Sequence, residues 1–137
     1  MPLASGINHV ATLTADMERT VRFYEEVFDA EVVHKIEKRE DHPRMYIVDL
    51  GGGSALNIFE VDETDIIGER RSQGHRGAVD HFGIAVANVE QLHGMKERLA
   101  AAGAQEVGEV QQLGNEWSLF FRSIDGMELE VCCKADD

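Results

Sequence analysis

Ile7-Asn8-His9-Val10-Ala11-Thr12-Leu13-Thr14-Ala15-Asp16 lies over Val79-Asp80-His81-Phe82-Gly83-Ile84-Ala85-Val86-Ala87-Asn88 without a gap. Apolar matches apolar, small matches small, and His9 matches His81. Each stretch reads as a strand that runs into a helix N-cap, Asp16 in the first copy and Asn88 in the second. Self-similarity of this kind marks a duplicated structural unit. The residues after each copy agree. Met17, Val21, Tyr24 and Phe28 recur at helical spacing after Asp16, as do Leu92, Met95, Leu99 and Ala102 after Asn88, with Gln91 at the capping-box position.

Three further strands are expected in each copy: residues 30–36, 44–50 and 55–61 in the first, and 104–111, 116–122 and 127–133 in the second. Gly51-Gly52-Gly53 and Asp125-Gly126 supply turns. The expected fold class is therefore α+β: two βαβββ modules forming an open eight-stranded mixed sheet or barrel, with the helices outside. Module one runs from about 5 to 62 and module two from about 79 to 134 of a single domain. The polar, glycine-bearing stretch 63–78 connects them. Its Arg70, Arg71 and Arg76 form a local cationic run that reads first as a solvated loop, although an anionic substrate tail could bind there.

The chain of 137 residues has a net charge of −13, which disfavours nucleic acid and anionic membranes as partners. Adjacent Cys132 and Cys133 point to opposite faces of a strand, so two free thiols and a cytoplasmic location are expected. Neither a signal peptide nor a membrane span is legible.

Strand residues two apart share a face. His9 then goes with Ala11 and Leu13, and His81 with Gly83 and Ala85, so each imidazole has small or apolar neighbours. In the last strand Glu128 and Glu130 share one face, and Leu129 and Val131 the other. A carboxylate in so apolar a strand needs a partner. A divalent ion shared by His9, His81 and Glu130 meets that need, and two histidines with one carboxylate leave positions open for substrate.

These residues bring a resemblance into view. The stretches INHVATLTADMERTVRFYEEVF, VDHFGIAVANVEQL and SIDGMELEV, with the aromatic pair Phe23-Tyr24, resemble the vicinal oxygen chelate superfamily. That group includes glyoxalase I, methylmalonyl-CoA epimerase, fosfomycin and bleomycin resistance proteins, and extradiol dioxygenases. The resemblance implies metal ligands at His9, His81 and Glu130, paired modules curling around one divalent ion (Ni, Co, Zn, Mn or Fe), a small-molecule substrate, and a homodimer. It departs at Ser123-Ile124-Asp125-Gly126, where the family often has Asp-Pro-Asp-Gly.

Glyoxalase I takes a further glutamate, also implicated in proton transfer, from its fourth strand. Glu60, on one face with Leu56 and Ile58, matches that position and becomes fourth ligand and base; a second alignment sets Asn57 opposite Glu130 instead. Trp117 and Phe120 are candidate substrate walls, with core packing the ordinary use of Phe120, and Glu128 is a second candidate base.

The resemblance also separates subfamilies. Extradiol dioxygenases usually carry a later histidine and a tyrosine; here Phe120 stands at the tyrosine position and no histidine follows His93. Fosfomycin thiol transferases usually have threonine where Ala11 stands. Bleomycin-binding members typically lack the metal histidines. A glyoxalase- or epimerase-type proton transfer through an enediolate is the reading left. A metal-dependent oxygenase outside the extradiol group, with Fe(II), and a non-catalytic small-molecule or antibiotic-binding protein are its alternatives.

Overall fold

The computed structural model of the protein describes residues 2–66, 74 and 77–135. Most of the expected connector, including Arg70, Arg71, His75 and Arg76, lies outside the described residues. The chain divides into two compact units, Met1–Ile67 and Gly68–Asp137.

The first unit runs β1 (His9–Thr14), α1 (Met17–Phe28), β2 (Glu31–Ile36), β3 (Met45–Gly51) and β4 (Ser54–Glu60), with the sheet ordered β1-β4-β3-β2. The second runs β5 (Phe82–Ala85), α2 (Val89–Ala101), β6 (Gln111–Leu113), β7 (Glu116–Arg122) and β8 (Glu128–Lys134), ordered β5-β8-β7-β6. In each, the first strand pairs parallel with the last, and the remaining neighbours are antiparallel. The duplication read from two ten-residue stretches thus extends to identical topology. The eight strands form two four-stranded mixed sheets, as the βαβββ expectation requires.

The helices form where the caps predicted. Asp16 accepts from the Arg19 N–H at 3.1 Å, and Asn88 from the Gln91 N–H at 2.8 Å. Gln91 reaches back to the Ala87 N–H at 2.9 Å, closing a reciprocal arrangement over the start of α2. Asn88→Ala removes one of these bonds and is expected to cost about 1 kcal/mol of stability, read as a lowered urea midpoint with an unchanged slope.

Each helix buries one apolar stripe against one face of its own sheet. In the first unit Met17, Tyr24 and Val27 of α1 and Val48, Leu56 and Ile58 of the sheet are all fully or almost fully buried, and α1 lies against β4. In the second, Leu92, Met95 and Leu99 meet Leu119, Phe121, Leu129 and Val131. Burying a side chain of this size stabilises by roughly 1.5–3 kcal/mol, so these stripes decide which face of each sheet turns to its helix. The opposite face carries His9, Ala11 and Leu13 in the first unit, and Gly83, Glu130 and Phe120 in the second, by strand parity and register.

One strand departs from expectation. Residues 104–111 run beside β7 without forming a regular ladder: Gln105 exchanges backbone bonds with Arg122 and Gly108 donates to Phe120, but Glu106 between them has φ +50°. That left-handed residue breaks the alternation, and regular pairing begins only at Gln111. Among the described residues, no helix is long and apolar enough to cross a membrane. Cys132 and Cys133 are free thiols.

Candidate metal centre

In the second unit, β5 and β8 bring two of the expected ligands together. Gly83 lies directly across from Glu130 in parallel register, and His81 stands two residues before Gly83. His81 Nε2 lies 3.2 Å from Glu130 Oε1, and both side chains are mostly buried. The other Glu130 oxygen accepts from the hydroxyl of buried Ser118. His81 Nδ1 lies 2.6 Å from Asp80 Oδ1. Burial of the ring works against its charged form, but hydrogen bonds to Asp80 and Glu130 outweigh that and raise its pKa above the usual histidine value.

The first unit repeats the detail. His9 Nδ1 lies 2.8 Å from Asn8 Oδ1. In both units the residue just before the histidine accepts from Nδ1; in the second unit Nε2 then faces the Glu130 carboxylate. A carboxylate or amide oxygen behind a metal-binding imidazole sets its tautomer and orientation. Sequence reasoning passed over Asn8 and Asp80, yet both stand in the duplicated stretch and needed only to be read as partners of the histidine beside them.

The donor set suits a divalent cation. Two ligands about 2.1 Å from one ion, at right angles, stand ~3.0 Å apart, close to the observed separation of His81 Nε2 and Glu130 Oε1. Glycine at position 83 keeps the space clear: a Cβ there would lie 3.1 Å from Cys132 Sγ and 3.7 Å from Glu130 Oε1.

Glu60 departs from the expected role of fourth ligand and base. Leu56 and Ile58, which share its face, are fully buried under α1, whereas His9 leaves β1 on the other face. The Glu60 carboxylate accepts from the Met17 N–H at 2.7 Å, the first N–H of α1, and from Arg44 at 3.4 Å. Arg44 also pairs with Glu18 and Glu37 and donates to the Tyr46 hydroxyl at 2.7 Å. Glu60 therefore anchors a helix start. Asn57, paired with Ala11 as Glu130 is paired with Gly83, occupies the equivalent register position in the first unit.

The two aromatic candidates exchange roles. Phe120 is across from Glu130, and its ring stands edge-on to His81 at 5.2 Å, so it lines the face that carries these two residues. Trp117 is across from Cys133, on the parity that carries Leu119 and Phe121 to the core. Glu128 shares the Glu130 face but is held by Arg122 at 3.4 Å. Cys132, also on that face, was missed as a site neighbour. Burial pushes its thiol pKa up to about 11, with Glu130 and Glu116 adding to the effect.

Comparison with known proteins agrees with this architecture. Residues 6–131 match the family described as the Glyoxalase/Bleomycin resistance protein/Dioxygenase superfamily. A putative ring-cleaving dioxygenase, MhqA, of Bacillus subtilis is 30% identical over 132 residues; the match covers 91% of this chain but 39% of that protein, so the chain spans about two fifths of its relative. The crystal structure of a glyoxylase/bleomycin resistance protein/dioxygenase domain from Frankia sp. EAN1pec superposes with a TM-score of 0.76 at 29% identity, covering 96% of this chain and 98% of that one. A mutant of the fosfomycin resistance protein FosX from Listeria monocytogenes, complexed with Mn(II) and 1S,2S-dihydroxypropylphosphonic acid, gives 0.68 at 19% identity, covering 94% and 90%. At that identity the likeness is one of fold.

Proposed function

Because this chain belongs to the glyoxalase/bleomycin resistance protein/dioxygenase superfamily, we propose that it is a metal-dependent enzyme acting on a small molecule through two neighbouring substrate oxygens. His9, His81 and Glu130 hold one divalent ion, and the protein works as a cytoplasmic homodimer. The observation that carries this reading is the matched pair of hydrogen bonds, Asn8 to His9 and Asp80 to His81, each presenting Nε2 as a ligand atom.

When bound, the ion supplies charge stabilisation at two substrate oxygens. The chain's own residues do the rest. Asn8 and Asp80 orient the imidazoles, Ser118 holds one carboxylate oxygen of Glu130, and Phe120 gives the site an apolar wall that keeps water from part of it. A glyoxalase- or epimerase-type reaction needs a base beside the substrate carbon. Glu60 is turned to the helix side and does not serve. Oxygenation with Fe(II) needs only the two histidines and the carboxylate, and the similarity to a putative ring-cleaving dioxygenase favours it, against the expectation drawn from Phe120 and from the lack of a histidine after His93. The oxygenase reading therefore leads. The proton-transfer reading is kept alive by Glu116, whose carboxylate lies within 4.8 Å of Glu130.

Anaerobic loading with Fe(II), and separately with Ni(II), Co(II), Zn(II) or Mn(II), tests both. About one ion bound per chain is expected, together with oxygen uptake by the Fe(II) form on a dihydroxyaromatic. Solvent-deuterium exchange on an α-hydroxy carbonyl by the Ni(II) or Co(II) form would shift the assignment to proton transfer. Tight ligand binding without turnover under every metal would leave a sequestering protein, and a chain that takes up no metal would end the proposal.

A further inference from the structure

Cys132 stands two residues past Glu130 on β8, so thiol and carboxylate leave the strand on one side. Ligand atoms of Glu116, Glu130 and Cys132 all lie within 4.8 Å of one another. The Gly83 position faces the same group, with room there only because it lacks a Cβ. On its other side Glu130 meets the His81 ring. Glu130 is thus flanked by an imidazole nitrogen and a thiol sulfur, with Glu116 close by. All four residues belong to the second unit.

We infer that Cys132 is a further metal ligand beside Glu130, so that the second unit alone offers a sulfur donor together with the carboxylates of Glu116 and Glu130. This rests on the proposed function only in taking Glu130 as a ligand; it does not use His9. Ligation breaks the S–H bond and forms a sulfur–metal bond, and the proton leaves to the buffer. A thiolate changes which ions the site prefers. Sulfur favours zinc, cobalt and cadmium, whereas an all-oxygen-and-nitrogen set accepts manganese comparatively well. Cys133 points to the other face, 6% exposed among core residues, and serves as the built-in control.

The test uses the whole chain titrated with Co(II) and with Cd(II), reading bound metal and the ultraviolet sulfur-to-metal charge-transfer band. The wild type and Cys133→Ser are expected to show the band at about one ion per chain. Cys132→Ser is expected to lose it, and to lose zinc affinity by about tenfold or more, while Mn(II) affinity moves less than about twofold. Circular dichroism checks that each variant folds. If Cys132→Ser does not, Cys132→Ala is read in its place, and Gly83→Ala, which pushes a methyl to 3.1 Å from the sulfur, should weaken the band in an otherwise unaltered thiol set. An ion that binds, and is lost in Glu130→Gln, without any charge-transfer band overturns the thiol ligand and leaves the metal site standing. A band that survives Cys132→Ser overturns it too. A chain that binds no ion overturns both.

Discussion

Replacing Glu130 with glutamine is expected to weaken divalent-metal binding by about a hundredfold or more, since loss of an outer-shell partner alone typically costs 10–100-fold. Glutamine preserves the side-chain volume, and its amide oxygen can still accept from Ser118, which is 1% exposed and donates to Glu130. What it removes is the negative charge beside His81 Nε2. Alanine would be a poorer probe. It leaves the Ser118 hydroxyl buried without its acceptor, at about 1–3 kcal/mol, and mixes a folding defect with a binding defect. Apo Glu130→Gln should therefore melt close to the wild type. Calorimetric titration with Zn(II) or Co(II) reads the affinity and thermal melting reads the fold. Unchanged affinity would remove Glu130 from the ligand set.

Glu60→Ala is the opposite case: stability should fall by about 2 kcal/mol while metal affinity stays within about twofold. A hydrogen bond to a charged group contributes ~1.5–3 kcal/mol, and a carboxylate at a helix N-terminus ~0.3–1 kcal/mol. Glu60 does both at the Met17 N–H, 2.7 Å away. Its pair with Arg44 adds little, because such partly exposed ion pairs contribute at most ~1 kcal/mol and Arg44 keeps Glu18 and Glu37. Urea unfolding gives the first quantity and metal titration the second. An affinity loss as large as that of Glu130→Gln would return Glu60 to the metal, and the helix anchor would not then be its main role.

The contrast between these two glutamates shows what was legible. Glu130 stands out because Leu129 and Val131 flank it, and the duplicated His81 supplies a partner across the sheet. Glu60 stands among Leu56, Asn57, Ile58 and Phe59, where both parities look apolar enough to line a cavity. Leu56 and Ile58 turn out to be fully buried under α1, so the glutamate sharing their face goes to the helix side. Trp117 and Phe120 exchange roles for the same reason: they differ in parity, and the side carrying Leu119 and Phe121 meets α2. The irregular stretch before β6 was illegible for another reason. A single left-handed residue, Glu106, breaks the ladder where the composition still looks strand-like.

His9 and His81 in duplicate, the caps at Asp16 and Asn88, and the pairing of His81 with a carboxylate on the last strand follow from the sequence alone. They rest on local rules: a period of two along strands, 3.6 along helices, and a capping side chain at each helix start. Alternation sorts the residues of a strand into two sets, but it does not say which set meets the helix. Only the tertiary structure decided that, because the choice rests on which set buries more apolar surface against α1 or α2. By that choice Glu60 became an anchor for α1, while Glu130, with Cys132 on the same face of β8, lies beside His81.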